Sequence, residues 1–262
     1  MAILSALAQE QRGLIGQLRN PRKLVHAGRD FWRGELQGMP VVLALSRIGK
    51  VAAATTATAL IAHFSVRQVV FTGVAGGLAA IVNVGDVVVA THFMQHDLDA
   101  SPLFPRYEVP LYGKTRFDCD AQLTDLLYLA ACAALVDSAK ADQATDTAHP
   151  FPQARVHRGL IASGDRFVCG AEESRLLKDS LADAGHEVLA VEMEGAAVAQ
   201  VCLDYGVPFA AVRTVSDRAD DSAHLDFPGF IEEVAGRYAR DMIGRFFELL
   251  LKQQLTTPVD IA

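Results

Sequence analysis

Basic side chains and paired cysteines are both scarce in this sequence. It contains 24 Lys and Arg residues against 31 Asp and Glu, which gives a net charge of −7 over 262 residues. Without a basic stripe the chain has little to neutralise a phosphate backbone, so we expect no nucleic-acid partner. The four cysteines are far apart and form no C-x-x-C pair. This pattern argues against a zinc knuckle or a disulfide framework, and it predicts reduced thiols in the cytoplasm.

Long apolar runs and ligand-spaced histidines are also missing. The N-terminal stretch MAILSALAQEQRGL has no basic leader, and its apolar run is too short for a signal peptide or a membrane span, as is the later VGDVVVA. Of the eight histidines, only His92 and His96 are four residues apart, and they straddle a predicted strand end. We therefore expect surface imidazoles there, no membrane partner, no metal and no organic cofactor.

Apolar residues, at 51%, are plentiful enough for one large core. Segments rich in Val, Ile and Leu predict strands at 2–7, 41–46, 66–72, 85–93, 156–162, 187–191 and 207–214. Helical patterns lie between or after them, at 49–64, 119–139, 171–184, 194–204 and 228–252. This alternation predicts an α/β fold with a central mixed, mostly parallel sheet flanked by helices, in a single domain over 1–262.

Two segments interrupt the alternation. Segment 97–117 contains three prolines and several aromatic residues, which is typical of a lid or a subunit contact rather than an idle loop. Segment 138–153 is polar and poor in hydrophobic residues, and it predicts a flexible surface loop.

Acidic residues and glycines follow several predicted strands. Glu10, Glu194 and Asp217 each come shortly after the carboxyl end of one. Residues 73–77, GVAGG, predict a turn whose backbone N–H groups could approach a ligand, although they do not match a dinucleotide fingerprint. Because the carboxyl ends of parallel strands meet at one edge of a sheet, the sequence predicts a shared crevice there.

Each acid taken alone also has a structural explanation. Glu10 and Glu194 would suit the first turn of a helix, and Asp217 would suit a turn or a helix cap. Glu192 is expected to pair with a nearby basic group. The similar placement of three acids favours a functional site, because a buried carboxylate must be paired, hydrogen-bonded or protonated.

Six stretches carry a family resemblance. In chain order they are SALAQEQ, SRIGKVAAATTATALI, FTGVAGGL with VGDVVVA, GLIASGDRFV, VEMEGAAVAQVC and VPFAAVRTVSDRADDSAHLDF. Over most of residues 2–250 the chain resembles the 5′-methylthioadenosine/S-adenosylhomocysteine nucleosidases of the nucleoside phosphorylase superfamily. The resemblance implies a homodimer that hydrolyses the N-glycosidic bond of adenine nucleosides with a 5′-thio substituent and releases adenine.

The resemblance implies chemical roles for five polar residues. Glu10 would be the general base that activates water, and Asp217 the general acid that protonates purine N7. Glu194 would bind the ribose hydroxyls and favour the developing cation. Arg213 would lie near the water, and Ser216 would orient Asp217. Cleavage through a cation-like sugar needs a proton for the leaving base and a base for the water, so we expect Asp217 protonated and Glu10 ionised at neutral pH.

The resemblance also implies a set of substrate-binding positions. Phe167 would stack on the base, the backbone of Val168 would face the adenine edge, and Met193 would lie against the ribose. Gly76 would let the ligand approach the backbone closely. The apolar pocket for the 5′-alkylthio group would be lined by Leu7, Ile48 and Phe227, with Leu103, Phe104 and Tyr107 added from a neighbouring subunit.

Phosphorolysis, another substrate and binding without turnover stay open as alternatives. Phosphorylases of the superfamily carry a G-x-G-D-x-x-R-like element after the first strand and an arginine before the glycine segment. This chain has SALAQEQR and Phe71 at those places, which favours water, although Arg12 and Arg47 keep a purine or pyrimidine nucleoside phosphorylase open. Val74 stands where several relatives have a hydroxyl residue, and the sequence of segment 97–117 differs from the one usual in the family. The 5′ substituent is therefore open, with deoxyadenosyl and aminofutalosine compounds as alternatives.

Overall fold

The computed structural model describes residues 1–144, 151, 153–221 and 223–256. Its strands are β1 Ala2–Ser5, β2 Arg19–His26, β3 Arg29–Leu36, β4 Met39–Leu45, β5 Val69–Gly77, β6 Val87–Gln95, β7 Phe117–Asp118, β8 Val156–Ser163, β9 Val188–Glu192 and β10 Phe209–Asp217. Its helices are α1 Ala8–Ile15, α2 Lys50–Ala62, α3 Ala121–Ala144, α4 Ala171–Asp183, α5 Gly195–Asp204, α6 Ala223–Phe230 and α7 Gly236–Thr256. A π-helical turn, Ile231–Ala235, joins α6 to α7.

One mixed sheet contains these strands. Parallel ladders join β1 to β4 and β5, β5 to β10, and β8 to β6 and β9. Strand β5 has β10 along one edge and β1 along the other, and β9 pairs with its last residues, Gly76 and Gly77. Because β10 also pairs with β6, the strands β5, β10, β6, β8 and β9 close into a ring. The last residues of β1, β5, β9 and β10 are therefore brought to the same end of the sheet.

Helices cover both faces of the sheet, as the predicted α/β class requires. Ile3 and Leu4 are consecutive on β1, so their side chains point to opposite faces and belong to separate cores. The core of Leu4 includes Ala57 on α2 and Val198 on α5. The core of Ile3 includes Leu127 on α3 together with residues of α1 and α7. The predicted α/β fold with a mixed sheet is confirmed.

The hairpin formed by β2 and β3 was not predicted, and neither were α1 and the two-residue β7. Seven of the eight residues of β2 are exposed, so the strand lacks the alternation of apolar and polar residues on which strand prediction depends. Strand β3 pairs antiparallel with β4 and extends the sheet away from the ring. The hairpin therefore lies at the sheet edge that is remote from the ring.

Three local predictions were wrong. Residues 73–77 are not a turn, because they continue β5 and pair with β10 and β9. The loop predicted at 138–153 is helical as far as Ala144, since α3 continues along α7; most of its remainder lies outside the described residues. His96 is not a surface imidazole, because it is 8% exposed and its ring packs against Gly164.

Segment 97–117 is partly anchored and partly exposed. Tyr107 is buried, and its hydroxyl is 2.8 Å from Ser180 Oγ. Leu103 and Leu111 are 85% and 93% exposed. Apolar side chains thus point outward from an anchored segment, and the lid or subunit contact stays a prediction.

The described helices include none with both the length and the apolar character needed to cross a membrane. The cysteines Cys119, Cys132, Cys169 and Cys202 are free thiols. The cytoplasmic location and the domain limits of 1–262 stay predictions.

Candidate active site

A cavity of about 310 Å³ opens where β1, β5, β9 and β10 end. Glu10 reaches it from the first turn of α1, Glu194 from the residue before α5, and Asp217 from the last position of β10. The structure therefore brings together the three acids that the sequence placed after separate strands. The other predicted positions that line this cavity are Leu7, Ile48, Gly76, Phe167, Met193, Arg213, Ser216 and Phe227.

Of the positions expected from the same subunit, Val168 is the one outside this lining. It borders an adjoining recess of about 20 Å³, which shares Gly76, Phe167 and Asp217 with the main cavity. The recess lies next to the aromatic ring predicted to stack on the base. The placement of Val168 is thus compatible with a contact at the edge of a purine.

Backbone N–H groups hold the Glu10 carboxylate from both sides. Its Oε2 accepts hydrogen bonds from the N–H groups of Ala6 and Leu7, at 2.8 and 2.9 Å, and its Oε1 accepts one from Val74 at 3.2 Å. A Cβ at Gly73 would lie 3.2 Å from Oε1, so the glycine gives this carboxylate its space. Burial raises the pKa of Glu10, while these N–H donors and the charge of Arg213 oppose the rise.

Glu192 and Arg213 form a buried ion pair on the cavity wall. Arg213 Nη2 donates to Glu192 Oε2 at 2.8 Å, and both side chains are almost fully buried. The guanidinium also donates to the carbonyl of Phe71 and lies 4.0 Å from the centre of its ring. The carboxylate of Glu192 accepts further hydrogen bonds from the Ser163 hydroxyl and the N–H of Gly195. This is the structural partner that the sequence predicted for Glu192 without naming it.

Glu194 lies next to that pair but has a different environment. Its Oε1 accepts a hydrogen bond from the N–H of Gly49 at 2.7 Å. Burial, together with the negative charge of Glu192, raises the pKa of Glu194 to about 8. The Gly49 N–H and the charge of Arg213 act in the opposite direction, and Glu10 adds to the rise.

Asp217 is held by its own neighbours in the chain. Its Oδ1 accepts the N–H of Ala219 at 2.8 Å, and its Oδ2 accepts the Ser216 hydroxyl at 2.8 Å. A Cβ at Gly76 would lie 2.9 Å from Oδ1, so only glycine fits this place without a shift. The predicted contact between Ser216 and Asp217 is present.

Aromatic and apolar side chains also line the cavity. Phe167, which is 39% exposed, meets Phe227 edge to face, with ring centres 5.5 Å apart. Ile48 is 59% exposed at the mouth. In the described chain the lining includes none of Leu103, Phe104 and Tyr107, the residues expected from a neighbouring subunit.

Cations are scarce around the cavity. Among the lining residues that the structure describes, Arg213 is the only Lys or Arg, and Glu192 neutralises it. Arg12 faces Glu232 at 3.8 Å on the surface, and Arg47 donates to the carbonyl of Gly28 in the hairpin. The described part of the chain contains no cluster of three or more His, Cys, Asp or Glu suited to a metal.

The fold and the cavity define a protein of the phosphorylase superfamily, and the sequence model of that superfamily matches residues 1–248. Within it, the chain belongs to the 5′-methylthioadenosine/S-adenosylhomocysteine nucleosidase family. A nucleosidase of this name from Shewanella denitrificans is 34% identical over 243 residues, which cover 93% of this chain and 96% of that one. The family predicted from the sequence is confirmed.

Two solved structures illustrate the likeness. The Neisseria meningitidis nucleosidase in complex with methylthio-immucillin-A has a TM-score of 0.82 and 34% identity, over 95% of this chain and 98% of that chain. A futalosine hydrolase mutant of Helicobacter pylori has a TM-score of 0.78 and 29% identity, over 94% and 98% of the two chains.

Proposed function

We propose that this protein hydrolyses the N-glycosidic bond of adenine nucleosides with a 5′-thio substituent, of the methylthioadenosine and adenosylhomocysteine type, and releases adenine. The observation that carries the proposal is a single cavity that Glu10, Glu194 and Asp217 line together with aromatic and apolar side chains. Such a cavity offers acids for proton transfer and a flat surface for a base. The names of the relatives agree with this reaction.

Asp217 serves as the general acid. Departure of the purine leaves an electron pair on the base, and a proton delivered to N7 makes it a better leaving group. The Ser216 hydroxyl fixes the orientation of the carboxyl group. Because a hydroxyl can donate or accept, the same contact serves the protonated acid before transfer and the carboxylate after it.

Glu10 serves as the general base for the water that attacks C1′. Its three N–H donors restrict the carboxylate to one orientation, which removes the need to order it during the reaction. The raised pKa makes Glu10 a stronger base than an exposed carboxylate, provided that it is ionised when the substrate binds. Arg213 acts through Glu192 and the charge balance rather than as a free cation for the water.

Glu194 binds the ribose hydroxyls and stabilises positive charge on the sugar. A carboxylate near the developing cation lowers the energy of the transition state more than that of the neutral substrate. The hydrogen bond from Gly49 occupies Oε1 and leaves further acceptor positions for hydroxyl donors.

Water is favoured over phosphate as the nucleophile. A phosphate dianion needs cations or a cluster of donors, and the one arginine of the described lining is paired with Glu192. The ionised acids of the lining would also repel the dianion. For Arg12 or Arg47 to bind a phosphate, its side chain would have to leave its present partner.

The active form is proposed to be a homodimer in which segment 97–117 of one subunit completes the apolar end of the other cavity. The exposed Leu103 and the exposed Ile48 at the mouth support this arrangement, since both would lose water contact on assembly. The apolar end formed by Leu7, Ile48 and Phe227 suits an alkylthio group.

Adenine release tests the proposal. We expect the purified protein to release adenine from 5′-methylthioadenosine and S-adenosylhomocysteine at the same rate with and without phosphate, and to leave inosine intact. A rate that requires phosphate would make the protein a phosphorylase. If adenine were released only from aminofutalosine or 5′-deoxyadenosine, the proposed hydrolysis would stand, but the 5′ substituent of the substrate would be a different one. Tight binding without release would indicate a binding protein.

A further inference from the structure

Three charged residues outside the cavity form a closed ring of contacts, which we call the Lys50 clamp. Lys50 Nζ is 2.5 Å from Asp97 Oδ1, and Asp97 Oδ2 accepts the N–H of Asp165 at 2.8 Å. Asp165 Oδ1 in turn accepts the N–H of Lys50 at 2.7 Å. Lys50 begins α2, Asp97 opens segment 97–117, and Asp165 follows β8. The clamp thus joins three segments that are distant in sequence.

Two of the three segments joined by the clamp carry a residue of the proposed site. Phe167 comes two residues after Asp165, Ile48 comes two before Lys50, and both line the cavity. Gly49, directly before Lys50, donates its N–H to Glu194. The clamp is therefore one residue away from the described backbone donor to Glu194.

The start of α2 depends on these contacts. Its N-cap is Gly49, which has no side chain to cap the helix and adopts a φ of +95°. Glu194 and Asp165 accept the N–H groups of Gly49 and Lys50 instead. A Cβ at residue 49 would also lie 3.1 Å from Asp165 Oδ1. The helix start is thus held by two carboxylates from other parts of the chain.

We infer that Asp165, fixed by Lys50 and Asp97, is a positioning residue that holds the Gly49 N–H against the Glu194 carboxylate, and so sets Glu194 for the ribose. This inference rests on the proposed function and assigns it a residue outside the cavity. The charged groups that act on Glu194 itself are Glu192, Arg213 and Glu10, of which only Arg213 favours its ionised form. A fixed N–H donor therefore matters more here than in a site rich in cations.

The exposure of the clamp separates this role from a structural one. The side chains of Lys50, Asp97 and Asp165 are 16%, 31% and 48% exposed. Ion pairs with this access to solvent contribute little to the stability of a fold. We therefore expect loss of the clamp to change catalysis more than unfolding.

Asp165→Ala tests the inference, with Asp125→Ala as the matched control. Asp125 lies on α3 and is bound to Arg158 at 2.6 Å in a comparably exposed pair, and it does not line the cavity. The steady-state rates of adenine release are compared for 5′-methylthioadenosine and its 2′,3′-dideoxy analogue, which offers no ribose hydroxyls to Glu194. We expect Asp165→Ala to lower kcat/KM by roughly 10-fold or more on the intact nucleoside. On the analogue the loss should be smaller by a factor of at least about three. Asp125→Ala should leave both values unchanged.

Rescue by a conservative change completes the test. Asp165→Asn keeps an oxygen for the Lys50 N–H and should restore most of the activity; should Asp165→Ala not fold, Lys50→Met must show the same substrate-dependent loss. Equal losses on both nucleosides, or no loss, would overturn the inference while wild-type turnover keeps the proposed function intact. Absence of turnover in the wild-type protein would instead remove the proposed function, and this inference with it.

Discussion

Two glutamates separated by one residue occupy contrasting regions of the cavity. In the first region, which we call the paired wall, Glu192 faces Arg213 and accepts hydrogen bonds from Ser163 and Gly195. In the second, beside the start of α2, Glu194 is also buried, has the Gly49 N–H as its described hydrogen bond, and has its pKa raised to about 8. The difference indicates that the Glu192 carboxylate stabilises the fold, whereas the Glu194 carboxylate is left for a ligand.

Charge balance explains the contrast. A buried carboxylate is tolerated when a cation and enough donors surround it, and Glu192 has both. Glu10 and Glu194 share the cavity without a cation of their own among its described lining. Each therefore carries a cost of burial that a bound nucleoside can offset through its hydroxyls, its base and its water.

The largest effect is expected from Asp217→Asn, which tests whether residues outside the paired wall serve the reaction. The amide keeps the acceptor for Ala219 but cannot deliver a proton to the base. We expect adenine release to fall by roughly 10³-fold to 10⁴-fold while the affinity for substrate changes little. Single-turnover kinetics measures the rate of adenine release, and calorimetry measures the affinity for substrate. A variant that turns over at the wild-type rate would remove Asp217 from the mechanism.

Glu192→Ala is the next largest change, and it should act on the fold. Removing one partner leaves the Arg213 cation buried and unpaired, which we expect to lower the free energy of unfolding by about 3–5 kcal/mol. Urea titration measures this free energy of unfolding. The double variant Glu192→Ala with Arg213→Met is the control and should lose less than the sum of the single changes. Additive losses would show that the pair is not coupled.

Glu194→Gln should separate activity from stability. The folded pKa of about 8 lies above the ordinary value of 4.5, so the folded protein loses stability as pH rises through that window. Glutamine does not titrate, and we expect the variant to be more stable than the wild type by about 1–2 kcal/mol at pH 8–9, with no gain below pH 4.5. Its kcat/KM should fall by roughly 10²-fold. Thermal unfolding at several pH values measures the first effect, and a variant less stable at pH 9 would contradict it.

The smallest effect is expected at Val74, on the Glu10 side of the cavity. Its contact with Glu10 is made by the backbone N–H, so a new hydroxyl adds a donor without removing one. We expect Val74→Ser to change kcat by less than about threefold. A gain of tenfold or more in steady-state turnover would mean that the three backbone donors do not position the base sufficiently.

The sequence predicted the parts of the fold in which side chains repeat with a clear period. Strands β5 and β10 each begin with an apolar run, and their order along the chain implied a shared edge. The β2 strand was missed because its side chains face water, so its pairing with β3 leaves no apolar pattern. The glycines at 73–77 suggested a turn, whereas their physical role is to leave space beside Glu10 and Asp217.

The candidate site was predictable as a set of residues but not as a set of environments. The motif VEMEG identified both glutamates, but the motif alone does not determine that Arg213 on β10 pairs with Glu192 rather than with Glu194. The Gly49 contact was equally hidden, since it is made by a backbone N–H that any residue provides. Such choices depend on distances across the sheet, which appear only when the chain is folded.

The most direct test is the crystal structure of Asp217→Asn with 5′-methylthioadenosine bound. The account predicts one nucleoside in the cavity, with adenine on Phe167 and N7 within hydrogen-bonding distance of residue 217. The ribose hydroxyls should lie on Glu194 and a water between Glu10 and C1′. A nucleoside bound elsewhere, or a ribose that contacts Glu192 instead of Glu194, would contradict it.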